Sequence, residues 1–350
     1  MKKQICIVLA AGRGTRMKSS LAKVLHPIAG SPMLHYPLQT ARATGCERIF
    51  VVVGHQHAEV EQAVTAADVS FVLQEHQLGS GHAVAVCEEA LADFSGDVLI
   101  LCGDVPFITI ATLEYFISAH AQADAAVSVL SVHLENPHGY GRIVRGSRDE
   151  LHAIVEHRDA TDQQLLINEI NTGIYCCKAP FLFSALKQVG TDNEQAEYYL
   201  PDIIEIGRAG GLTVQAIATE AWQEVEGIND RAGLARAEER MQALIQQCHM
   251  LAGVSIMQPS STFIDDQVEI GSEVTLHPGT VLRGTTSIGS GCTIEAGCIL
   301  INATIGTHVN IGPSCVIEDT KIQHNARISP CTHMHSGTFS AQPGSPSPIS

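Results

Sequence analysis

The stretch IGSGCTIEAGCIL, residues 288–300, returns to an aliphatic side chain at every sixth position: Ile288, Ile294 and Leu300. The same period extends both ways. Ile264, Ile270, Leu276 and Leu282 lead up to it, and Ile305, Ile311, Ile317, Ile322 and Ile328 follow. Every spacing is six except Leu300 to Ile305 and Ile317 to Ile322, which are five. Four residues after most leaders stands a small or β-branched side chain: Val268, Val274, Thr280, Thr286, Cys292, Cys298, Thr304, Val309 and Cys315. A hexapeptide repeat of this kind builds a parallel β-helix, each unit forming one flat side of a coil. No coil can bury its interior alone, so stacking supplies the core. Cys292, Cys298 and Cys315 then read as small core residues and not as ligands.

Immediately before the repeat, Arg231–Cys248 reads as one long helix. Leu234, Ala237, Met241, Leu244, Ile245 and Cys248 recur at spacings of mostly three and four, giving one apolar stripe. Further upstream the pattern changes again. Ile5–Ala10, Ile49–Val53, Val69–Leu73, Val98–Cys102 and Ala126–Val132 are aliphatic runs of the type found in buried parallel strands. Helical patterns separate them at Met33–Thr44, Ala58–Ala67, Gly81–Ala92 and Ile110–Ala121, with Pro37 either kinking the first or delaying its start. This succession predicts an α/β domain with a largely parallel sheet, in which ligands bind beyond the carboxyl ends of the strands. The expected organisation is an α/β domain over 1–230, a connecting helix over 231–250, the repeat over 251–335 and a disordered Ser/Pro/Gly-rich tail over 336–350.

Composition narrows the function. A chain of 350 residues is enough for two domains, and 45% hydrophobic and 17% charged residues are an ordinary soluble composition. The apolar run near the N-terminus is too short for a membrane helix and lacks a signal-peptide cleavage site, so no membrane association and a cytoplasmic location are expected. Eleven scattered cysteines without a CxxC pair imply reduced thiols, and seventeen histidines show no zinc spacing. A net charge of −16 argues against nucleic-acid binding. Residues 1–46 nevertheless carry seven Lys or Arg and no Asp or Glu, a local positive field suited to a small polyanion.

That field surrounds the motif Leu9-Ala10-Ala11-Gly12-Arg13-Gly14-Thr15-Arg16-Met17, directly after the first expected strand. Gly12 and Gly14 let backbone N–H groups approach phosphates, while Arg16 and Lys23 add fixed cations. The third glycine of a dinucleotide fingerprint is missing, and no Gly-Lys-Ser/Thr follows as in a P-loop. Asp104 ends the strand Val98–Cys102, where the topology places a ligand crevice. A carboxylate there suits a hard cation, or equally a turn or helix cap.

Taken together, LAAGRGTRM…KVLHPIAG (from Leu9), QEHQLGSGHA (74–83), GDVP (103–106), GYGRI (139–143), VEH (155–157), EINTG (169–173) and EGIN (226–229) resemble the signature of sugar-phosphate nucleotidyltransferases. Within that family the chain is most similar to bifunctional uridyltransferase/acetyltransferases, over roughly residues 1–330. The resemblance implies a Rossmann-like nucleotidyltransferase domain followed by a short left-handed β-helix. It implies transfer of a uridylyl group from UTP to N-acetylglucosamine 1-phosphate with release of pyrophosphate. It places Leu9, Ala10, Ala11, Gly12, Lys23 and Gln74 at the nucleotide, with uracil read near Gly79 and Ser80. Gly141, Glu156 and Asn171 hold the N-acetylated sugar, Asp104 and Asn229 bind Mg2+, and Arg16 and Lys23 neutralise the phosphates. It further implies a homotrimer. Three departures stand out: Ala22 where the family usually has proline, Cys102 where relatives often carry tyrosine, and Ser80 in place of threonine.

Two other readings compete: a relative using another sugar 1-phosphate or nucleoside triphosphate, and a non-catalytic nucleotide-binding subunit. The Glu156 and Asn171 motifs argue against the first, and joint retention of Arg16, Lys23, Asp104 and Asn229 against the second. No acetyltransferase activity is expected. Ser329 stands where the relatives carry an arginine of that second site, and the segment from Ser336 has no Lys or Arg to pair with coenzyme A phosphates. His333 and His335 are expected beyond the last repeat, in a segment too loose to serve as a base.

Overall fold

The aliphatic runs of the first 220 residues become strands of a single mixed sheet. The strands are β1 (Gln4–Leu9), β2 (Ile49–Val53), β3 (Val69–Leu73), β4 (Asp97–Cys102), β5 (Val127–His133), β6 (Arg142–Arg145), β7 (Leu151–Val155), β8 (Glu169–Lys178) and β9 (Val214–Thr219). The computed structural model describes residues 3–64 and 66–339. These divide into two units, one of residues 1–26 and 32–231, the other of 27–31 and 232–350.

In the first unit the strand order is β9-β5-β8-β4-β1-β2-β3, with β6 pairing β8 and β7. β1 lies parallel between β2 and β4, in the register Ile7 with Phe50 on one side and Ile100 on the other. Ile5 to Val8 are fully buried. Ile5 and Ile7 join one core layer and Cys6 and Val8 the other, so both faces of the sheet are covered by apolar packing. The chain moves from β1 outward through β2 and β3, then returns to the opposite side at β4. The order therefore reverses at β1, and a crevice opens beyond the carboxyl ends of β1 and β4.

The fifth run pairs in both senses. β5 is parallel to β9 but antiparallel to β8, which is inserted between β5 and β4 and runs against both. The polar half of β8, Glu169 to Thr172, hides it from a search for aliphatic runs. The helices also shift at their ends. The first spans His35–Ala43, with Pro37 in its opening turn, where a missing N–H leaves no bond unmade. The next two are His57–Ala63 and Ser80–Ala85, the latter followed by a 3-10 turn at Glu89–Leu91, while Ile110–Gln122 extends as expected.

The second unit is a left-handed parallel β-helix with three stacked ladders of short strands. One face runs Ser255–Ile256, Thr275–Leu276, Thr293–Ile294, Asn310–Ile311, Arg327–Ile328. Of the twelve leaders only Ile270 is not buried. The two five-residue spacings correct one expectation. Thr304 is exposed, and Ala303 takes the inward place. The inward small residue is fixed two positions before the next leader, so shortening the unit moves it back by one. Inward thiols donate to carbonyls one turn along: Cys292 to Gly306 at 3.0 Å, Cys298 to Gly312 at 3.1 Å and Cys315 to Ser329 at 3.2 Å.

The helix of this unit spans Arg231–Leu251, and its buried face differs from the apolar stripe. Leu244 and Cys248 are exposed, whereas Gln242 and Gln246 are buried. Gln242 accepts from the Ile264 N–H at 2.8 Å and donates to the Ile264 carbonyl at 3.0 Å, and Gln246 donates to the Thr262 carbonyl at 2.6 Å. The glutamines thus satisfy backbone groups at the open edge of the first coil, a need no hydrophobic pattern reveals. Ser336 to Phe339, expected in a loose tail, continue a strand His333–Phe339 paired in register with Val316–Ile322. His333 and His335 therefore sit on an ordered coil. The remaining tail, 340–350, lies outside the described residues.

Candidate active site

The site is assembled at the carboxyl end of β1 and β4, from loops far apart in sequence. After β1 the chain makes a loop whose Gly14 adopts φ +57°, and a Cβ there would lie 2.7 Å from the Cβ of Lys23. Gly14 thereby lets the loop close onto Lys23. Gly12 has a different role: no atom lies within 4 Å of where its Cβ would stand, leaving its backbone open to a ligand. Gly103 after β4 donates to the Leu9 carbonyl at 2.9 Å, holding the two loops side by side.

Four polar side chains converge there. Lys23 Nζ donates to Asp104 Oδ2 in a short contact and to Asn229 Oδ1 at 2.8 Å. Arg16 donates to the same Asn229 oxygen at 2.8 Å. The Asn229 amide nitrogen is turned away, donating to the Gly227 carbonyl at 3.1 Å, and Ile228 N–H donates to the Asp104 carbonyl at 3.0 Å. The fold thus aims one carboxylate oxygen and one amide oxygen at the same point and gathers two cations around them. Hard oxygen donors of this kind fit a small divalent cation whose other ligands are water and phosphate oxygens. Among the described residues no group of three or more His, Cys, Asp or Glu could hold a metal.

Gln74 follows β3 and is buried, its amide nitrogen bonding the Gly79 carbonyl at 3.2 Å and His82 Nδ1 at 3.0 Å. Gly79 has φ +108°, and a Cβ there would lie 2.5 Å from the Tyr198 carbonyl. The Ser80 hydroxyl accepts from Leu200 N–H at 3.0 Å, so its oxygen serves the contact with segment 198–200.

A second group lies around β6, β7 and β8. The register of β8 against β5 jumps between Asn171 and Tyr175, a bulge that its own side chains stabilise. Asn171 Oδ1 accepts from Gly173 N–H at 2.9 Å, and the Thr172 hydroxyl donates to the Leu130 carbonyl at 2.7 Å. Gly173 has φ +81°, and a Cβ there would lie 2.8 Å from Cys102 Sγ. Gly141 accepts at its carbonyl from Asn171 N–H at 2.9 Å, and a Cβ at Gly141 would lie 3.1 Å from Glu156 Oε1. The three residues Gly141, Glu156 and Asn171 are thus neighbours. Burial, and then the nearby Asp159 and Asp202, raise the Glu156 carboxyl above its ordinary range, against the pull of Arg142. Glu169, by contrast, is structural. Arg145 grips it twice at 2.7 Å and Ser131 donates to it at 2.6 Å.

Cys102 is held as a neutral thiol, pushed to about 12 by burial and then by the Asp104 carboxylate. Sequence reasoning missed Tyr140, a half-buried phenol raised by burial, then by Glu226 and Asp104. It also missed the buried Arg142, whose guanidinium donates to the Tyr140 carbonyl, and Tyr175 on β8. The GYGRI motif held the first two, but its signal pointed only to Gly141.

Residues 6–169 match the MobA-like NTP transferase domain. Across nearly its whole length the chain is similar to proteins called bifunctional protein GlmU. That of Pelobacter propionicus is 44% identical over 339 residues, covering 97% of this chain and 74% of the relative. That of Syntrophotalea carbinolica is 49% identical over 317 residues, covering 90% and 68%. That of Geobacter sulfurreducens is 44% identical over 350 residues, covering 95% and 74%.

Proposed function

The chain belongs to the GlmU family, and we propose that it joins UTP to N-acetylglucosamine 1-phosphate, giving UDP-N-acetylglucosamine and pyrophosphate. The observation that carries this reading is the convergence of Arg16, Lys23, Asp104 and Asn229 beside the open Gly12 loop.

The nucleophile is a phosphate oxygen of the sugar phosphate, already an anion, so no base and no covalent enzyme intermediate are required. It attacks the α-phosphorus of UTP in line, and pyrophosphate leaves from the opposite side. The chief barrier is repulsion between two anions, which fixed positive charge and positioning lower. Lys23 donates to both Asp104 and Asn229. Its ammonium and the Arg16 guanidinium are the fixed charges that neutralise the transferring phosphate. Asp104 and Asn229 are the residues that would hold a divalent cation, Mg2+ in our reading, which would supply further charge neutralisation when bound. Leu9 to Gly12 and Gln74 position the nucleotide, with uracil near Gly79 and Ser80, while Gly141, Glu156 and Asn171 receive the N-acetylated sugar.

We place the reaction in the cytoplasm. All eleven cysteines are free, as a reducing compartment requires, and no described helix is long and apolar enough to cross a membrane. We further propose a homotrimer. Leu251, Met257 and Phe263 are 82%, 62% and 48% exposed on the second unit, an apolar surface that closed symmetry would cover. Pyrophosphate release from UTP, assayed with and without N-acetylglucosamine 1-phosphate and with EDTA, tests the reaction. Turnover with only a different sugar phosphate or nucleotide would overturn the specificity and leave the reaction class standing.

A further inference from the structure

The Gln74 side chain is held so that it offers a ligand only one kind of hydrogen bond. Gln74 directly follows β3 and is 3% exposed, and its N–H donates at 2.8 Å to the carbonyl of Val53, the last residue of β2. Its carboxamide nitrogen lies 3.2 Å from the Gly79 carbonyl and 3.0 Å from His82 Nδ1. The Gly79 oxygen only accepts, which fixes the nitrogen at that end of the amide. An amide nitrogen has two protons and accepts nothing, so it donates to His82 Nδ1 as well. Nδ1 is then the accepting nitrogen of the imidazole, and the ring proton sits on Nε2. Both amide protons are spent inside the protein. Whatever meets the Gln74 carboxamide from the crevice meets the acceptor Oε1.

The two groups that take those protons are firmly placed. Gly79 and His82 bracket the start of the helix Ser80–Ala85, and segment 198–200 clamps this turn. Gly81 N–H donates to the Tyr198 carbonyl at 2.8 Å, Tyr198 N–H to the Leu78 carbonyl at 2.8 Å, and Leu200 N–H to the Ser80 hydroxyl at 3.0 Å. The His82 and Tyr198 rings stand 6.3 Å apart, centroid to centroid. Pyrimidines differ at the atom that a fixed acceptor reads. Uracil carries a hydrogen at N3, the one donor on its base-pairing edge, whereas cytosine presents a lone pair there. A site built around a substrate N–H rejects the analogue lacking it, because two acceptors are left facing each other.

We propose that His82 is a positioning residue that sets the preference for uracil over cytosine: by taking the second amide proton of Gln74 it keeps Oε1 as the only group presented to N3 of the base. The inference rests on the reading that Gln74 contacts the base of UTP. His82 acts through Gln74 and takes no part in the transfer itself. Where the imidazole is replaced by an apolar side chain, the released amide proton becomes available to the N3 lone pair of cytosine.

The test is His82→Leu in the full chain, with UTP, CTP and 5-methyl-UTP each paired with N-acetylglucosamine 1-phosphate. The ratio of kcat/KM for UTP to that for CTP is expected to fall about tenfold. The ratio of UTP to 5-methyl-UTP, which keeps the N3 hydrogen, should stay within about twofold. His82→Asn, which restores an acceptor close to the place of Nδ1, should recover most of the UTP-to-CTP ratio. Calorimetric affinities for the three nucleotides should follow the same pattern. An unchanged UTP-to-CTP ratio in His82→Leu overturns the proposal. So does an equal gain for CTP and 5-methyl-UTP, the mark of a loosened pocket, or an equal loss for all three with a lowered Tm, the mark of a merely structural role. Gln74→Ala separates the two levels of inference. If it leaves the UTP-to-CTP ratio unchanged, the placement of Gln74 at the base falls. If it lowers the ratio while His82→Leu does not, only the role of His82 falls.

Discussion

The two units of this chain encode their interiors in opposite ways. In the β-helix, one rule repeated every six residues states which side chain points inward, and each coil restates it. In the α/β unit, the groups that matter stand once each, at positions 16, 23, 104 and 229, and meet only because the sheet brings the ends of β1 and β4 together. Redundancy makes the first tolerant of a slipped register, as the two five-residue units show. Single occurrence makes the second intolerant of any loss. The contrast predicts that damage to one unit reads out as stability and damage to the other as turnover.

The largest effect should come from the unrepeated site. Lys23→Ala removes the ammonium that spans Asp104 and Asn229 and is expected to cut kcat by about 10²- to 10³-fold, with Arg16→Ala close behind. Both proteins should melt within a few degrees of wild type, because the site is a crevice and not a core. Steady-state kinetics alongside calorimetry decide the matter, and normal turnover by Lys23→Ala would remove that lysine from the mechanism.

The reverse is expected in the repeat. Leu300 is fully buried in the stack, and Leu300→Ala should cost about 2–5 kcal/mol of stability while leaving turnover at 25 °C unchanged. The single tryptophan, Trp222, belongs to the first unit. Its fluorescence reports that unit, while far-UV circular dichroism reports both, so an early dichroic transition without a fluorescence change would locate the damage. A folded Leu300→Ala protein with tenfold slower turnover would break the separation between the units. A finer version uses the shortened repeat: Ala303→Leu should overpack the interior by about 1–3 kcal/mol, whereas Thr304→Leu on the exposed side should stay within about 0.5 kcal/mol.

These differences also explain what the sequence could disclose. Ile264 to Ile328 reveal the β-helix because periodicity is itself the structural cause. The α/β class is legible in β1, β2 and β4, whose residues are mostly buried, and in the aliphatic run of β3, which is only half-buried at the edge of the sheet. β8 escaped notice because its bulge is built from Asn171, Thr172 and Gly173, whose side chains replace backbone bonds. Gln242 and Gln246 escaped because they are buried to satisfy an edge, against their polarity. At the site, Asp104 was equally a turn residue until its contacts with Lys23 and Asn229 were known. Nothing local distinguishes Glu156, which accepts substrate in our reading, from Glu169, which Arg145 neutralises. Only the fold separates them.

The smallest effect tests how the first unit treats charge in its acidic cavity. This cavity of about 300 Å³ is lined by Glu156, Asp159, Asp192, Tyr199, Asp202 and Glu205. Burial, then Glu205 and Asp159, push the half-buried Asp202 carboxyl from 3.8 up to about 6. A carboxyl that holds its proton more tightly when folded makes the native state bind more protons than the unfolded chain between those two values. Its contribution to stability is therefore complete below pH 3.8 and is lost as pH rises through about 6. Asp202→Asn removes the ionisation and keeps the shape. Allowing for solvent screening, it should stabilise the protein by about 1 kcal/mol at pH 7.5 and by nearly nothing at pH 4. Urea denaturation at the two pH values measures the difference directly. A variant that is destabilised equally at both would mean that Asp202 is held as a hydrogen-bonded anion, and that the first unit uses the charge it was inferred to suppress.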